Sequence, residues 1–197
     1  MEEMRIIPAG QVREAVKKLC IKANRCLNED VEGALCRAMA AEPYAPARDV
    51  LDILCENARA AREERLAICQ DTGMAVVFLT LGQEVRITEG GLEEAVHQGV
   101  GEGYQEGLLR SSVVGDPLAR KNTGDNTPAV IHTRVVPGRE LHIEVAPKGF
   151  GSENMSRIRM LNPADGVEGV KAFVVETARL AGPNPCPPMI LGVGIGG

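Results

Sequence analysis

The spacing of the apolar residues changes once along this chain, close to Cys69, and this change limits the folds open to it. Before residue 65 the apolar positions recur at helical spacing, as at Val12, Val16 and Leu19, which is typical of amphipathic helices. After Cys69 the chain contains short apolar runs of strand length, the first at residues 74–81. We therefore predict an α+β fold, with a helical lead-in over residues 1–65 and a mixed α/β part over residues 66–197.

Local signals predict the elements in more detail. Prolines interrupt the helical pattern at residues 42–46, and Asn162 followed by Pro163 is a good helix start, with Gly182 a plausible end. Two strand-like runs, residues 128–136 and 140–147, flank the turn Pro137-Gly138-Arg139, which favours a β-hairpin. The apolar residues from Met189 onward predict one more short strand.

The composition excludes several classes of protein. The chain has 197 residues, 44% of them hydrophobic, and a formal net charge of -5, so we expect a single domain over residues 1–197 with a core of its own. No basic block indicates nucleic-acid binding, and no apolar run approaches the roughly 20 residues of a membrane span. The acidic N-terminus has no apolar core of a secretory signal, so a cytoplasmic location is predicted.

The six cysteines fall into two groups. Cys20, Cys26, Cys36 and Cys55 lie in the helical lead-in, where we expect them to act as small apolar residues. Cys69 and Cys186 lie in polar loops rich in Gly or Pro, and Pro185 and Pro187 make the second loop rigid. An iron–sulfur cluster accepts such dispersed thiolates, whereas a zinc ribbon needs paired cysteines. Ordinary loop cysteines remain the alternative.

Other polar residues in these loops are candidates for chemistry. Asp71 is a carboxylate two residues from Cys69, or else a residue that only shapes its turn. Arg110 suits bidentate binding of a carboxylate, or else is a surface arginine at a helix end. Gly149 and Gly151 can offer backbone N–H groups to an anion. Three polar residues of an earlier loop, Asn122, Asp125 and Asn126, are expected either to shape a turn or to support the site.

Five segments, taken together and in order, resemble one known family. They are ICQDTG at residues 68–73, LRSSVV at 109–114, NTGDNTP at 122–128, KGFGSEN at 148–154 and CPP at 186–188. The same segments occur in class I fumarate hydratases and in the α chain of L(+)-tartrate dehydratase. The resemblance covers essentially the whole chain and identifies it as similar to the N-terminal portion of that iron–sulfur hydro-lyase subunit.

The resemblance implies a 4Fe–4S cluster held by three cysteines, with one iron open to substrate. Cys69 and Cys186 match two of these ligands, and the third is expected beyond Gly197. Asp71 then matches an acid/base or proton-relay group, while Gln70, Arg110 and the glycines Gly149 and Gly151 match positions that bind a small dicarboxylate. A β-type partner subunit would supply the base that removes the carbon-bound proton, so a homo- or hetero-oligomer is expected.

Three readings of function stay open at this point. The first is the reversible hydration of fumarate to (S)-malate, and the second is dehydration of L(+)-tartrate in the same type of site. No residue in the sequence decides between these two. The third is a cluster-free module that only binds a partner, and with two of three ligands the chain by itself is expected to be inactive. A zinc or nucleotide site is the least favoured reading.

Overall fold

The structure, a computed structural model, describes residues 4–186 and 189–196, except for the side chain of Ser152. The chain divides into two compact units, Met1–Lys148 and Gly149–Gly197. Each unit is described by itself below. The single domain predicted for residues 1–197 stays a prediction.

The described residues of the first unit begin with a short strand, continue with three helices, and then contain four strands and one more helix. In chain order its elements are β1 Arg5–Pro8, α1 Ala9–Arg25, α2 Glu29–Ala41, α3 Ala45–Glu64, β2 Met74–Gly82, β3 Val85–Thr88, α4 Leu92–Glu106, β4 Val130–Val136 and β5 Leu141–Lys148. The second unit contains short 3-10 turns at Gly151–Met155 and Pro163–Asp165, and then α5 Gly166–Ala181. The mixture of helices and strands confirms the predicted α+β class. The described helices include none long and apolar enough to cross a membrane.

The core of the first unit lies between two helices and one face of a sheet. Strand β2 is central in the three-stranded sheet, with β4 parallel on one side and β5 antiparallel on the other. Its alternate residues Ala75, Val77 and Leu79 are buried, as the two-residue period of a strand requires. They belong to the same apolar cluster as the inner faces of α1 and α4. Strands β1 and β3 form a separate parallel pair.

Glycines allow α4 to approach α1 closely. A Cβ added at Gly99 would lie 2.4 Å from the backbone oxygen of Arg13, and one added at Gly103 would lie 2.9 Å from that of Lys17. Gly99 and Gly103, which weaken the intrinsic helix propensity, are therefore required by this packing. Around them Val16, Val96 and Val100 are fully buried.

The predicted β-hairpin at residues 128–147 is wrong. Strands β4 and β5 do not pair with each other, because β2 lies between them. Their connection crosses the end of β2, where the amides of Gly82 and Gln83 donate to the carbonyls of Glu140 and Val136. A side chain at Gly82 would meet the Gly138 carbonyl at 2.3 Å, so glycine at this position permits the crossing.

Two further expectations need correction. Residues 189–196 form no strand, and the described part of the second unit offers no other strand with which they could pair. Among the early cysteines Cys20 is buried as expected, but Cys26 and Cys55 are only half-buried and Cys36 is exposed. By contrast, Asn162 is an N-cap as predicted, since it forms a reciprocal capping box with Asp165. This box caps the 3-10 turn Pro163–Asp165, and α5 follows from Gly166 and ends before Gly182.

We expect Gly99→Ala to lower the free energy of unfolding by about 1–3 kcal/mol, the usual effect of overpacking a close contact. The matched control is Gly101→Ala in the same helix, where the nearest atom to the new Cβ is 3.6 Å away. The control should be neutral or stabilising by up to about 1 kcal/mol, because alanine favours the helix. Urea unfolding of both variants measures the difference, and equal stabilities would contradict the close packing of α1 and α4.

Candidate functional site

Three loops meet at one edge of the three-stranded sheet. Residues 69–73 lead into β2 and residues 122–127 precede β4, and since these strands are parallel, both loops reach the same edge. The third loop, residues 110–113, follows α4 and bonds to the other two. At this edge Met74 pairs with Lys148, the last residue of β5. We call this group of loops the three-loop edge.

The side chain of Asn126 joins the three loops from inside. It is completely buried, and its Oδ1 accepts hydrogen bonds from the backbone N–H groups of Ser112 at 2.7 Å and Val113 at 3.1 Å. Its Nδ2 donates to the carbonyl of Gly73 at 3.0 Å. The residue has a φ of 60°, a conformation that asparagine tolerates better than most residues. The supporting role predicted for Asn126 therefore has a structural basis.

Thr72 makes the second connection between loops, and the sequence analysis missed it. Its hydroxyl accepts the backbone N–H of Arg110 at 3.0 Å and lies 3.2 Å from the Arg110 carbonyl, to which it can donate. The Thr72 carbonyl accepts the hydroxyl of Tyr104 at 2.8 Å. Burial raises the pKa of that phenol far above its ordinary value, so it remains a donor. Nothing in the sequence distinguishes Thr72 from an exposed loop threonine, although it is buried.

Cys69 is exposed on a loop that is held from both sides. The residue before it, Ile68, donates its N–H to the carbonyl of Asn24 in α1 at 2.8 Å. The carbonyl of Ile68 accepts a hydrogen bond from the side-chain amide of Asn57 in α3 at 2.9 Å. The backbone N–H of Asp71 points to the Cys69 sulfur at 3.4 Å, a contact that stabilises a thiolate more than a thiol.

Gln70, Asp71 and Arg110 belong to the same three-loop edge as Cys69, since the backbone of Arg110 bonds the side chain of Thr72. Gln70 and Arg110 are exposed, while Asp71 is half-buried. One Asp71 oxygen, Oδ1, accepts the N–H of Gly73 at 3.1 Å, so this carboxylate does shape its own turn, as one of the two predicted alternatives states. The structure thus brings four of the predicted site residues together: Cys69, Gln70, Asp71 and Arg110.

The loop at residues 122–127 is shaped by its own polar side chains. Asn122 bonds the Ser111 carbonyl at 2.9 Å and the Gly124 N–H at 2.7 Å. Asp125 Oδ1 accepts the hydroxyl of Thr127 at 2.7 Å and its N–H at 3.0 Å. The Thr127 hydroxyl is the main cause that lowers the pKa of Asp125, so this carboxylate stays ionised and is used within the loop.

The other three predicted site residues belong to the second unit. Gly149 is half-buried, and Gly151 is exposed at the start of a 3-10 turn, where an added Cβ would meet no atom within 4 Å. Cys186 is exposed and lines a cavity of about 310 Å³ together with Arg157 and Thr177. Pro187 and Pro188, which the sequence analysis linked to Cys186, lie outside the described residues.

No metal centre is complete within the described residues. Groups of three or more His, Cys, Asp or Glu side chains that could hold a metal ion are absent from residues 4–186 and 189–196. Cys69 by itself fits a cluster ligand, because it combines an exposed sulfur with a backbone N–H donor. The described part of the chain therefore offers single thiol ligands and not a whole ligand set.

Comparison with known proteins places these loops in a family. The profile of the family described as Fumarate hydratase (Fumerase) matches residues 13–197. A protein of Methanocaldococcus jannaschii, provisionally assigned as L(+)-tartrate dehydratase subunit alpha, is 40% identical over 193 residues, which cover 95% of this chain and 67% of the relative. The L(+)-tartrate dehydratase subunit alpha of Escherichia coli strain UTI89 is 29% identical over 189 residues, covering 94% of this chain and 62% of the relative.

The chain thus spans about two thirds of the length of these curated relatives. The family profile covers all three loops of the three-loop edge and the whole second unit. These findings confirm the resemblance drawn from the five segments, and the chain belongs to the fumarate hydratase (Fumerase) family of hydro-lyases.

Proposed function

We propose that this chain is an α-type subunit of a hydro-lyase that reversibly hydrates fumarate to (S)-malate. The observation that carries the proposal is the three-loop edge, which presents a thiol, an amide, a carboxylate and a guanidinium from residues 69–71 and 110 on one buried frame. These are the groups needed to hold a dianion and to move a proton next to it. The family described as Fumarate hydratase supports this choice of reaction.

L(+)-tartrate is the second candidate substrate, and a specific observation favours it. Both relatives compared above are named as L(+)-tartrate dehydratase subunits alpha. The two reactions have in common a dicarboxylate with four carbon atoms and the loss or addition of water. The same edge can serve both, because the chain's cationic and amide groups would bind the carboxylates and not the additional hydroxyl.

Arg110 is the residue that we assign to a substrate carboxylate. Its backbone is fixed by Thr72 on both its N–H and its carbonyl, while its side chain is exposed. With its backbone held in place, Arg110 can offer two parallel guanidinium N–H donors to a carboxylate. Gln70 would add a neutral donor beside it. Gly149 and Gly151, which the resemblance matches to positions that bind the dicarboxylate, are proposed to offer backbone N–H groups to it.

Asp71 is assigned to proton transfer. Because Oδ1 accepts the Gly73 N–H, the carboxylate is held in one orientation. We propose that Asp71 gives a proton to the hydroxyl that leaves in the dehydration direction and takes one from water in the reverse direction. The base for the carbon-bound proton would come from a β-type partner subunit, as the name subunit alpha of the relatives suggests.

Cys69 and Cys186 are proposed as two ligands of a 4Fe–4S cluster. The N–H of Asp71 would stabilise the Cys69 thiolate, and the rigid loop would present it to the cluster. A bound cluster with one open iron supplies a Lewis acid that makes hydroxide a better leaving group. The predicted cytoplasmic location, where thiols stay reduced, is compatible with this assignment and stays a prediction.

We expect Cys69→Ser to abolish both the cluster absorbance and the fumarate hydratase activity. The chain is expressed in its natural full subunit with the β-type partner and reconstituted with iron and sulfide without oxygen. Cys26→Ser is the matched control, since Cys26 lies at the end of α1 and outside the three-loop edge. It should retain both signals. An unchanged cluster in Cys69→Ser would remove this residue as a ligand.

We expect Arg110→Ala to lower kcat/KM for the dicarboxylate by roughly two powers of ten, mainly through a higher KM. This corresponds to a loss of about 3 kcal/mol of transition-state stabilisation. The reason is that one substrate carboxylate would be left without its cation. Arg134→Ala is the control, because Arg134 is also exposed but lies on β4, away from the three-loop edge. Steady-state kinetics of the complex measure both variants, and equal KM values for Arg110→Ala and the wild type would contradict the assigned role.

We expect Asn126→Ala to lower the free energy of unfolding by about 2–4 kcal/mol, because it leaves buried N–H and carbonyl groups without partners. Asn122→Ala removes hydrogen bonds from the same loop at an exposed position, and should cost under about 1 kcal/mol. Urea unfolding of the chain compares the two. A smaller loss for Asn126→Ala than for Asn122→Ala would mean that the buried amide does not hold the loops together.

A further inference from the structure

Two cysteines that the proposed function does not use face each other across a helix pair. Helices α2 and α3 are consecutive in the chain, joined by residues 42–44. The Sγ atoms of Cys36 in α2 and Cys55 in α3 lie 3.8 Å apart. Cys36 is exposed and Cys55 is half-buried, so reagents in solvent can reach the pair.

The helix pair holds these two thiols in a defined geometry. Arg62 of α3 makes two hydrogen bonds to the carboxylate of Glu32 in α2, at 2.7 and 2.9 Å. This bidentate contact fixes one helix against the other. It lies on the same side of the helix pair as the cysteines, since the Glu32 carboxylate acts electrostatically on Cys55. Neither thiol belongs to the apolar cluster of the core.

We propose that Cys36 and Cys55 are a reversible redox site that forms a disulfide between α2 and α3 on reaction with a small-molecule disulfide such as glutathione disulfide. The two sulfur atoms need to approach from 3.8 Å to the bond length of about 2.05 Å. This proposal does not depend on the hydro-lyase assignment, because it uses neither Cys69 nor Cys186.

The exchange proceeds in two steps that balance. The Cys36 thiolate attacks one sulfur of glutathione disulfide, the S–S bond of the reagent breaks, and one glutathione thiolate leaves and takes up a proton. Cys55 then attacks the Cys36 sulfur of the mixed disulfide and releases the second glutathione, which takes up the second proton. Two protein thiols are oxidised to one disulfide, and one glutathione disulfide is reduced to two thiols.

The surroundings of the thiols assign this order. Cys36 is the more exposed and meets the reagent first. Desolvation raises the pKa of the Cys55 thiol above its ordinary value, and the nearby Cys36 thiol and the carboxylates of Asp52 and Glu32 act in the same direction. Cys55 therefore reacts poorly with a reagent in solution and suits the second, intramolecular step.

The position of the pair connects it to the Cys69 loop. Asn57, two residues after Cys55 on α3, donates to the carbonyl of Ile68, the residue before Cys69. A disulfide between Cys36 and Cys55 would therefore join α2 to α3, the helix that holds the Cys69 loop.

Peptide mapping tests the proposal. The reduced full chain is treated with glutathione disulfide without oxygen, remaining thiols are alkylated at low pH, and the chain is digested with trypsin. We expect residues 26–37 joined to residues 49–59, with release of both peptides by dithiothreitol. Because residues 26–37 also contain Cys26, the Cys26→Ser variant is mapped in parallel, and it should give the same linked peptides.

Two variants and one condition complete the test. Cys36→Ser and Cys55→Ser should each lose the link, and the remaining exposed Cys36 in Cys55→Ser should carry glutathione instead. In urea the pairing should scatter over the six cysteines. Separate glutathione adducts on Cys36 and Cys55 of the folded wild type, or the same scattered pairing with and without urea, would overturn the proposal.

Discussion

The buried side-chain amide of Asn126 is the interaction on which the arrangement of the candidate site depends. Its oxygen accepts two backbone N–H groups of the loop at residues 110–113, and its nitrogen donates to the Gly73 carbonyl, so it joins its own loop to the other two without contact with water. A buried amide without partners costs free energy, whereas one with three partners specifies a single arrangement. Together with Thr72, which bonds the backbone of Arg110, this side chain sets the relative positions of the loops that carry Cys69 and Arg110.

The order of the strands in the sheet is the second feature on which the arrangement of the candidate site depends. Parallel pairing of β2 with β4 brings the loops that precede them to the same edge, and antiparallel β5 ends there as well. This order requires the connection between β4 and β5 to cross the end of β2, and Gly82 leaves the space for it. The position of the functional loops therefore depends on a glycine and an asparagine that carry no chemistry themselves.

Local patterns in the sequence are sufficient for most helices and for the N-terminal cap at Asn162. The apolar spacing of α1, α3 and α4 reports directly which face is buried, and the Asn162 capping box is formed within four consecutive residues. The hairpin prediction failed because the Pro137-Gly138-Arg139 turn is local, while the insertion of β2 between β4 and β5 joins segments far apart in the chain. Sequence spacing cannot show such a long-range pairing.

The sequence indicates the candidate residues in the loops, but it does not indicate the buried hydrogen bonds that hold these loops together. Cys69, Asp71 and Arg110 stand out because binding and catalytic residues lie disproportionately on loops. Thr72 does not stand out, since its burial and its bonds to Arg110 arise only when two loops meet. The contact between Cys36 and Cys55 was missed for the same reason: each cysteine by itself occupies an ordinary helical position.

The central claim is that the three-loop edge serves the addition of water to a dicarboxylate double bond. The most direct measurement follows fumarate by proton NMR in deuterated water, using the full subunit with its β-type partner and a reconstituted cluster. If water is added across the double bond, we expect malate that carries one deuterium on the carbon next to the hydroxyl-bearing carbon. Fumarate and L(+)-tartrate that both remain unchanged, in the presence of an intact cluster, would contradict it.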